Sequence, residues 1–399
     1  MSKVELVKGV YWVGAVDWDI RHFHGFTYET RRGTTYNSYL IVDEKIALVD
    51  GVYGPFYQEW LEKIKEIVDP KKVDYMIVNH IEPDHAGTVP ILKEINPKSK
   101  IICSAKAKEG LLRHFYQNWD YQVVKTNDTL KLGKKTLRFI EAPMIHWPDS
   151  MFTYIEEDAL LLPNDAFGQH LATSKRFDDE VDNHLIMEEA GRYFANILWP
   201  FSPIILKKIE ELIAAKIKIN MIAPSHGIIW RKNPGQIIDA YLKWTKGATK
   251  EKIVIVYETM WGATEKIARK IVEGITDAGV SVKLFDVATS DRTETIKEML
   301  DAKGFMFGSS THDDDMLPAI AGFLEFVKGL KPKNRIACVF GSHGWAGGAV
   351  KEIEDVLKEA GIELVQPGLA IKYFPDEDEI KRCYEFGRNF AKLCGGFDH

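Results

Sequence analysis

The chain has 399 residues and a mass of 45.5 kDa, too long for one ordinary hydrophobic core and suited to two domains. Apolar residues at 45% and charged residues at 28% give the balance of a soluble globular protein, with no apolar run long enough to span a membrane. A formal net charge of −6, with lysines spread along helices rather than gathered into a stripe, argues against a nucleic-acid partner.

The opening segment MSKVELVKGVYWVG lacks the charged-then-apolar layout of a signal peptide, so a cytoplasmic location is expected. GVYWVGAV, TYNSYLIVD and KIALVDG then read as strands, and FYQEWLEKIKEIVD as an amphipathic helix. DYMIVNH, SKIICSA, KTLRFIEAP, DALLLPND and KINMIAPSH follow, each an apolar run ending on a polar or punctuating residue. A basic, Gly-containing seam, KWTKGATKEK over residues 243–252, separates the expected domains 1–248 and 249–399. Beyond it strands and helices alternate, from EKIVIVYET to the helix DEIKRCYEFGRNFAKL, which predicts a doubly wound five-stranded parallel sheet. Cys103, Cys338, Cys383 and Cys394 form no Cys-x-x-Cys pair and read as buried structural thiols. They offer neither a rubredoxin-type iron centre nor a zinc knuckle.

Four metal-capable side chains, His80, Glu82, Asp84 and His85, stand within six positions at the end of the apolar run DYMIVN. In an extended segment alternate side chains point the same way, so His80, Glu82 and Asp84 can converge. His85 either joins them or turns outward. His146, Asp165 and His226 each follow another apolar run. A lone histidine is more often a satisfied core residue, but seven nitrogen and oxygen donors exceed the needs of one tetrahedral ion and indicate two. Asp165, able to offer one oxygen to each, is the natural bridge.

In the second half, Thr259, Met260, Trp261, Gly262, Ala263 and Thr264 link a strand to a helix, a turn whose amides and hydroxyls suit a phosphate monoester. No Walker lysine accompanies it, which disfavours a nucleoside triphosphate. Ser310, Thr311, His312 and Asp313, and Ser342, His343, Gly344 and Trp345, lie in loops after two further strands of the same sheet. Ligands of such sheets bind beyond the carboxyl ends of the strands, where the three loops meet. Trp261 and Trp345 suit a planar isoalloxazine ring.

The motif His80-x-Glu82-x-Asp84-His85, followed by His146, Asp165 and His226, resembles the metallo-β-lactamase superfamily, most of which has histidine where this chain has Glu82. With HWPDSMFTY, PNDAFGQH and the flavodoxin-like second half, the whole chain resembles the flavodiiron proteins, in the form without an extra C-terminal domain. The resemblance implies an αββα sandwich followed by a flavodoxin-like domain, with two irons and FMN as cofactors. His80, Glu82 and His146 would hold one iron, Asp84, His85 and His226 the other, with Asp165 between them. A carboxylate in place of an imidazole favours iron over zinc. His24 and Tyr193 fall in segments that resemble the family's pocket wall, where they would hydrogen-bond a ligand on the irons. The implied activity is reduction of dioxygen to water, nitric oxide to nitrous oxide, or both. The implied electron donor is a separate reduced rubredoxin or a reduced deazaflavin coenzyme, and the implied assembly a head-to-tail homodimer or a tetramer. Arg31 and Arg32 are read as a solvated loop rather than a donor site. The alternatives are a metallohydrolase with an accessory flavodoxin domain and a flavodoxin-like carrier with a degenerate metal domain.

Overall fold

The computed structural model describes residues 4–25 and 27–397. Two compact units emerge. The first takes the N-terminal segment, Thr30–Phe194 and Phe201–Leu242; the second takes Thr27–Glu29, Ala195–Pro200 and the chain from Lys243 onward.

In the first unit one sheet has seven strands in sequence order: Val4–Val7, Val10–Trp12, Tyr39–Val42, Ile46–Val49, Tyr75–Val78, Lys100–Cys103 and Tyr121–Val123. The first four run antiparallel and the last four parallel, each parallel pair joined through helical segments because a parallel crossover needs that length. A second sheet orders Thr129–Lys131, Thr136–Glu141, Met151–Ile155, Leu160–Leu162 and Met221–Ile222, with only the last pair parallel.

Alternation decides how the sheets pack. Val10 and Trp12, Tyr39 and Ile41, and Ala47 and Val49 of the first sheet meet Leu137 and Phe139, and Leu160 and Leu162, of the second in one core. Leu40, Leu48, Met76 and Ile101, which alternate with them, are equally buried, so the outer face of the first sheet is covered too. The amphipathic helix Tyr57–Lys65 buries Trp60 and Ile64. An αββα sandwich results. Complete burial of each such aromatic or aliphatic side chain is worth roughly 1.5–3 kcal/mol.

Several boundaries differ from expectation. The first long helix stops at Lys65, where Ile67 and Val68 both donate to the Ile64 carbonyl ahead of Pro70. The expected seam is mostly structured: helix Pro234–Thr245 runs into it and strand Lys250–Glu258 begins before it ends, leaving only residues 246–249 between them. Asn334 and Arg335 donate to the Lys246 and Gly247 carbonyls and hold that short link.

The second unit orders Ser281–Asp286, Lys250–Glu258, Ala302–Ser310 and Ile336–His343, all parallel. The single fifth strand expected from ELVQPGLAI is two pieces, Glu363–Leu364 and Leu369–Lys372, both paired with Ile336–His343. Pro367 lies in the interruption and has no amide hydrogen for a ladder. Ile253, Ile255, Ile267, Ile271 and Phe390 share the core between sheet and helices. Strands Lys250–Glu258, Ala302–Ser310 and Ile336–His343 end at one edge, which gathers the loops that follow them. All four cysteines are buried free thiols, and among the described residues no helix is long and apolar enough to cross a membrane.

Candidate metal centre and flavin site

The strand Tyr75–Val78 delivers His80 to the mouth of the sandwich. The Asn79 amide donates to Asp50 Oδ1 at 2.8 Å, fixing the exit of the strand. Pro83, with its preset φ, then opens the short helix Pro83–Ala86, which carries Asp84 and His85. His146 and Asp165 leave the second sheet after Thr136–Glu141 and Leu160–Leu162, and His226 follows Met221–Ile222. Four separate chain segments thus meet at one point.

The seven side chains sort into two groups: His80, Glu82, His146 and Asp165, and Asp84, His85 and His226. Asp165 touches both. Its Oδ2 lies 3.7 Å from His80 Nε2 and 3.3 Å from His146 Nε2. Its Oδ1 lies 3.1 Å from His85 Nε2 and 3.5 Å from His226 Nε2. Glu82 Oε2 is 3.3 Å from His80 and 3.4 Å from His146, while Asp84 Oδ2 is 3.1 Å from His226 and 3.4 Å from His85. The His85 ring turns inward, which answers the question its sequence position left open.

Electrostatics are consistent with a cation site. Both oxygens of Asp84, Oδ2 of Asp165 and Nε2 of His85 are buried with no hydrogen-bond partner among the described residues, an arrangement that costs free energy unless an ion completes it. Burial alone would lower His85 and His146, but the surrounding carboxylates outweigh it and raise both, His85 to about 9. Burial would likewise raise Glu82 and Asp165, yet the imidazoles around them hold both well below the usual carboxylate range. The donor set is all nitrogen and oxygen, with three carboxylates, which suits iron.

A layer behind the ligands orients them. Asp149 Oδ2 accepts from His80 Nδ1 at 2.9 Å and from the Ile81 amide at 2.9 Å. Ser225 Oγ donates to Asp165 Oδ1 at 2.8 Å, and His226 Nδ1 donates to the Thr35 carbonyl at 2.6 Å. Asn37 ties down the same loop through the Pro224 and Gly227 carbonyls. His170, buried between Phe23, Tyr193 and His226, bonds the Thr34 hydroxyl at 2.7 Å. Burial and the neighbouring imidazoles push it well below the ordinary histidine range. Sequence reasoning singled out none of these, although Asp149 and His170 lie inside the two motifs quoted for the resemblance.

His24 and Tyr193 each lie beside a ligand candidate. His24 Nε2 lies 2.9 Å from Glu82 Oε1. Tyr193 is fully buried with its ring 5.0 Å from His170 and 6.2 Å from His226. A cavity of about 320 Å³, bounded by His24, Tyr36, Tyr53, Glu82 and Asp84, opens beside the ligands. Arg31 and Arg32 are exposed, and Arg32 pairs with Glu189.

In the second unit, Gly262 takes φ +86° and caps the fifteen-residue helix Ala263–Asp277, a left-handed turn that favours glycine. Its amide is held by Thr259 Oγ1 at 3.1 Å. Thr264 Oγ1 lies 3.0 Å from Ser310 Oγ and 2.8 Å from Ser342 Oγ, so three hydroxyls, one from the first turn of that helix and two from strand ends, form one knot. Thr311 joins through its amide to the Ser342 carbonyl. His343 Nδ1 is buried with no partner among the described residues, and the helix N-terminus beside the knot suits an anion. Met260, Trp261 and Trp345 stand exposed around it, the two tryptophans at 84% and 70%. Tyr373, whose amide donates to the His343 carbonyl, is a further exposed ring that sequence reasoning missed. His312 and Asp313 turn to solvent and pair with each other rather than joining the knot.

Comparison with known proteins agrees with both halves. A profile described as ODP family beta lactamase matches residues 34–227, and one described as Flavodoxin matches residues 255–387. A nitric oxide reductase of Moorella thermoacetica is 53% identical over 97% of this chain and 98% of its own length. The anaerobic nitric oxide reductase flavorubredoxin of Escherichia coli K12 is 44% identical over 96% of this chain and 81% of its own. Among solved structures, the rubredoxin oxygen:oxidoreductase of Desulfovibrio gigas superposes with a TM-score of 0.96 at 36% identity, covering 99% of each chain. The flavodiiron protein of Giardia intestinalis gives 0.95 at 35% identity, covering 99% of this chain and 97% of its own. The chain belongs to the flavodiiron family of oxidoreductases, with a metallo-β-lactamase-like domain for a diiron centre and a flavodoxin domain for FMN.

Proposed function

We propose that this protein reduces nitric oxide to nitrous oxide, dioxygen to water, or both, with electrons entering through FMN. The observation that carries the reading is Asp165, whose two oxygens face two separate ligand groups on a chain that also builds a flavin cradle. His80, Glu82 and His146 hold one iron in this reading, Asp84, His85 and His226 the other, and Asp165 spans them. Bound iron supplies a redox-active Lewis acid for a small diatomic substrate. The protein's own part is to fix the imidazoles through Asp149 and Thr35, and to present the substrate with the cavity beside Glu82 and Asp84. His24 and Tyr193 are proposed as pocket-wall residues. Two nitric oxide reductases at 53% and 44% identity, against 36% for the oxygen reductase, support nitric oxide as the first substrate to test.

The flavin reading places the FMN phosphate at Thr259–Thr264 and the ring near Trp261 and Trp345, with Ser310, Thr311, His312, Asp313, Ser342, His343 and Gly344 along the cradle. A separate reduced rubredoxin is proposed as donor. Support comes from the Desulfovibrio relative, a rubredoxin oxygen:oxidoreductase. A head-to-tail homodimer and a cytoplasmic location complete the reading, the latter because free thiols persist in a reducing compartment. Domain limits of 1–248 and 249–399 are part of the proposal, a few residues beyond the division between the compact units at Lys243. Purified protein is expected to carry two irons and one FMN per chain and to consume nitric oxide anaerobically. Stopped-flow flavin reduction by rubredoxin against a reduced deazaflavin coenzyme tests the donor. Zinc without flavin, or consumption of neither gas, would overturn the assignment.

A further inference from the structure

Reduction of either gas consumes a proton for every electron, so the functional reading above, on which this inference rests, requires a proton route to buried ligands. Tyr36 bounds the cavity beside Glu82 and Asp84 and is itself 1% exposed. Its hydroxyl donates to Asp17 Oδ2 at 3.2 Å. The ring is braced by Tyr53 and Phe56 at centroid distances of 5.7 and 5.4 Å.

Asp17 is half-buried and is followed by the exposed residues Trp18 and Asp19. Its other oxygen accepts from the Asp19 and Ile20 amides at 3.1 and 3.0 Å. That pair of bonds starts the loop whose residues Ile20, His22 and His24 bound the same cavity. One carboxylate therefore bonds both the loop that bounds the cavity and the hydroxyl of Tyr36, a residue of the cavity wall. Burial first, then the Asp17 and Asp84 carboxylates, push the Tyr36 hydroxyl far above its ordinary value.

We propose that Asp17 and Tyr36 form a proton relay from solvent into the gas-reducing cavity. Solvent delivers a proton to the Asp17 carboxylate, Asp17 passes it to the Tyr36 oxygen, and the Tyr36 hydroxyl turns from Asp17 to give up its own proton toward the cavity. One O–H bond breaks and one forms at each residue, so neither is changed after a cycle. Electrons arrive separately, through FMN.

The test mixes fully reduced holoenzyme with dioxygen or nitric oxide and follows proton uptake with a pH indicator, in water and in deuterium oxide. Asp17→Asn keeps an acceptor for the loop amides, and Tyr36→Phe keeps the ring, so a purely structural role would survive both. Each variant is expected to slow proton uptake by about tenfold or more and to enlarge the solvent isotope effect. Iron content, FMN content and the rate of flavin reduction should match the wild type. Asp17→Glu, which retains the carboxyl group, should recover most of the uptake rate. Wild-type uptake and isotope effects in both Asp17→Asn and Tyr36→Phe would overturn the relay and leave His24 as the entry point. A wild type that reduces neither gas would instead sink the functional reading, and the relay with it.

Discussion

Asp165 stands between the two ligand groups with one oxygen toward each, and Ser225 holds its carboxylate in that orientation. Asp165→Asn replaces one oxygen by an amide nitrogen that cannot ligate, and elemental analysis of the variant should show less than the wild-type iron content; full occupancy would contradict a bridge. Asp149 acts one step further out, on His80 Nδ1. Removing such a partner usually weakens metal binding by roughly 10–100-fold, so Asp149→Ala should lose iron to a chelator at correspondingly lower concentration. Protons give a third test. The carboxylates that outweigh burial at His85 raise it to about 9, so in metal-free protein at neutral pH that ring is protonated. A metal must displace the proton. Ferrous-ion titration of the apoprotein should therefore release protons, and apparent affinity should climb with pH until the gain fades above about 9. The sign for folding is opposite: a raised histidine stabilises the metal-free fold fully below its unfolded value, near 6.5, and that contribution is lost as pH rises through about 9. Affinity that is flat from neutrality to that point would count against the arrangement.

Among elements, the loop carrying His226 shows how tightly the site is built. Gly227 sits at φ +79°, its amide bonds Thr35 Oγ1 at 2.6 Å, and a Cβ there would collide with the Gln169 side chain. Gly227→Ala should cost about 1–3 kcal/mol from the left-handed backbone alone, with more from the collision, read as a lowered midpoint in thermal unfolding. The strands and helices around such loops are legible in sequence wherever apolar periodicity is long. The second unit, with alternating strand and helix patterns, could be drawn from them almost completely. Strand interruptions are harder, since the split at Pro367 depends on tertiary pairing rather than on local pattern. The seven ligand candidates were legible because chemistry-bearing residues followed apolar runs. Asp149, Ser225, Thr35 and His170 were not, because a side chain that binds a ligand's far nitrogen, or braces it, looks in sequence like any other polar residue.

For the whole molecule, every member of the two ligand groups lies in the first unit, and the hydroxyl knot and its loops lie in the second. Stripping FMN should then leave iron content unchanged while abolishing turnover with the electron donor, a separation that parallel flavin and metal assays would detect. Retained turnover in flavin-free protein would remove FMN from the electron path. The knot of Thr264, Ser310 and Ser342 carries a further consequence, for what the cradle can tell apart. It sits beside a helix N-terminus, whereas the tryptophans proposed to flank the ring stand open to solvent. Discrimination among flavins thus falls on the anionic tail: analogues altered on the ring but still phosphorylated should be admitted, whereas riboflavin, which offers no charge to those amides, should be turned away.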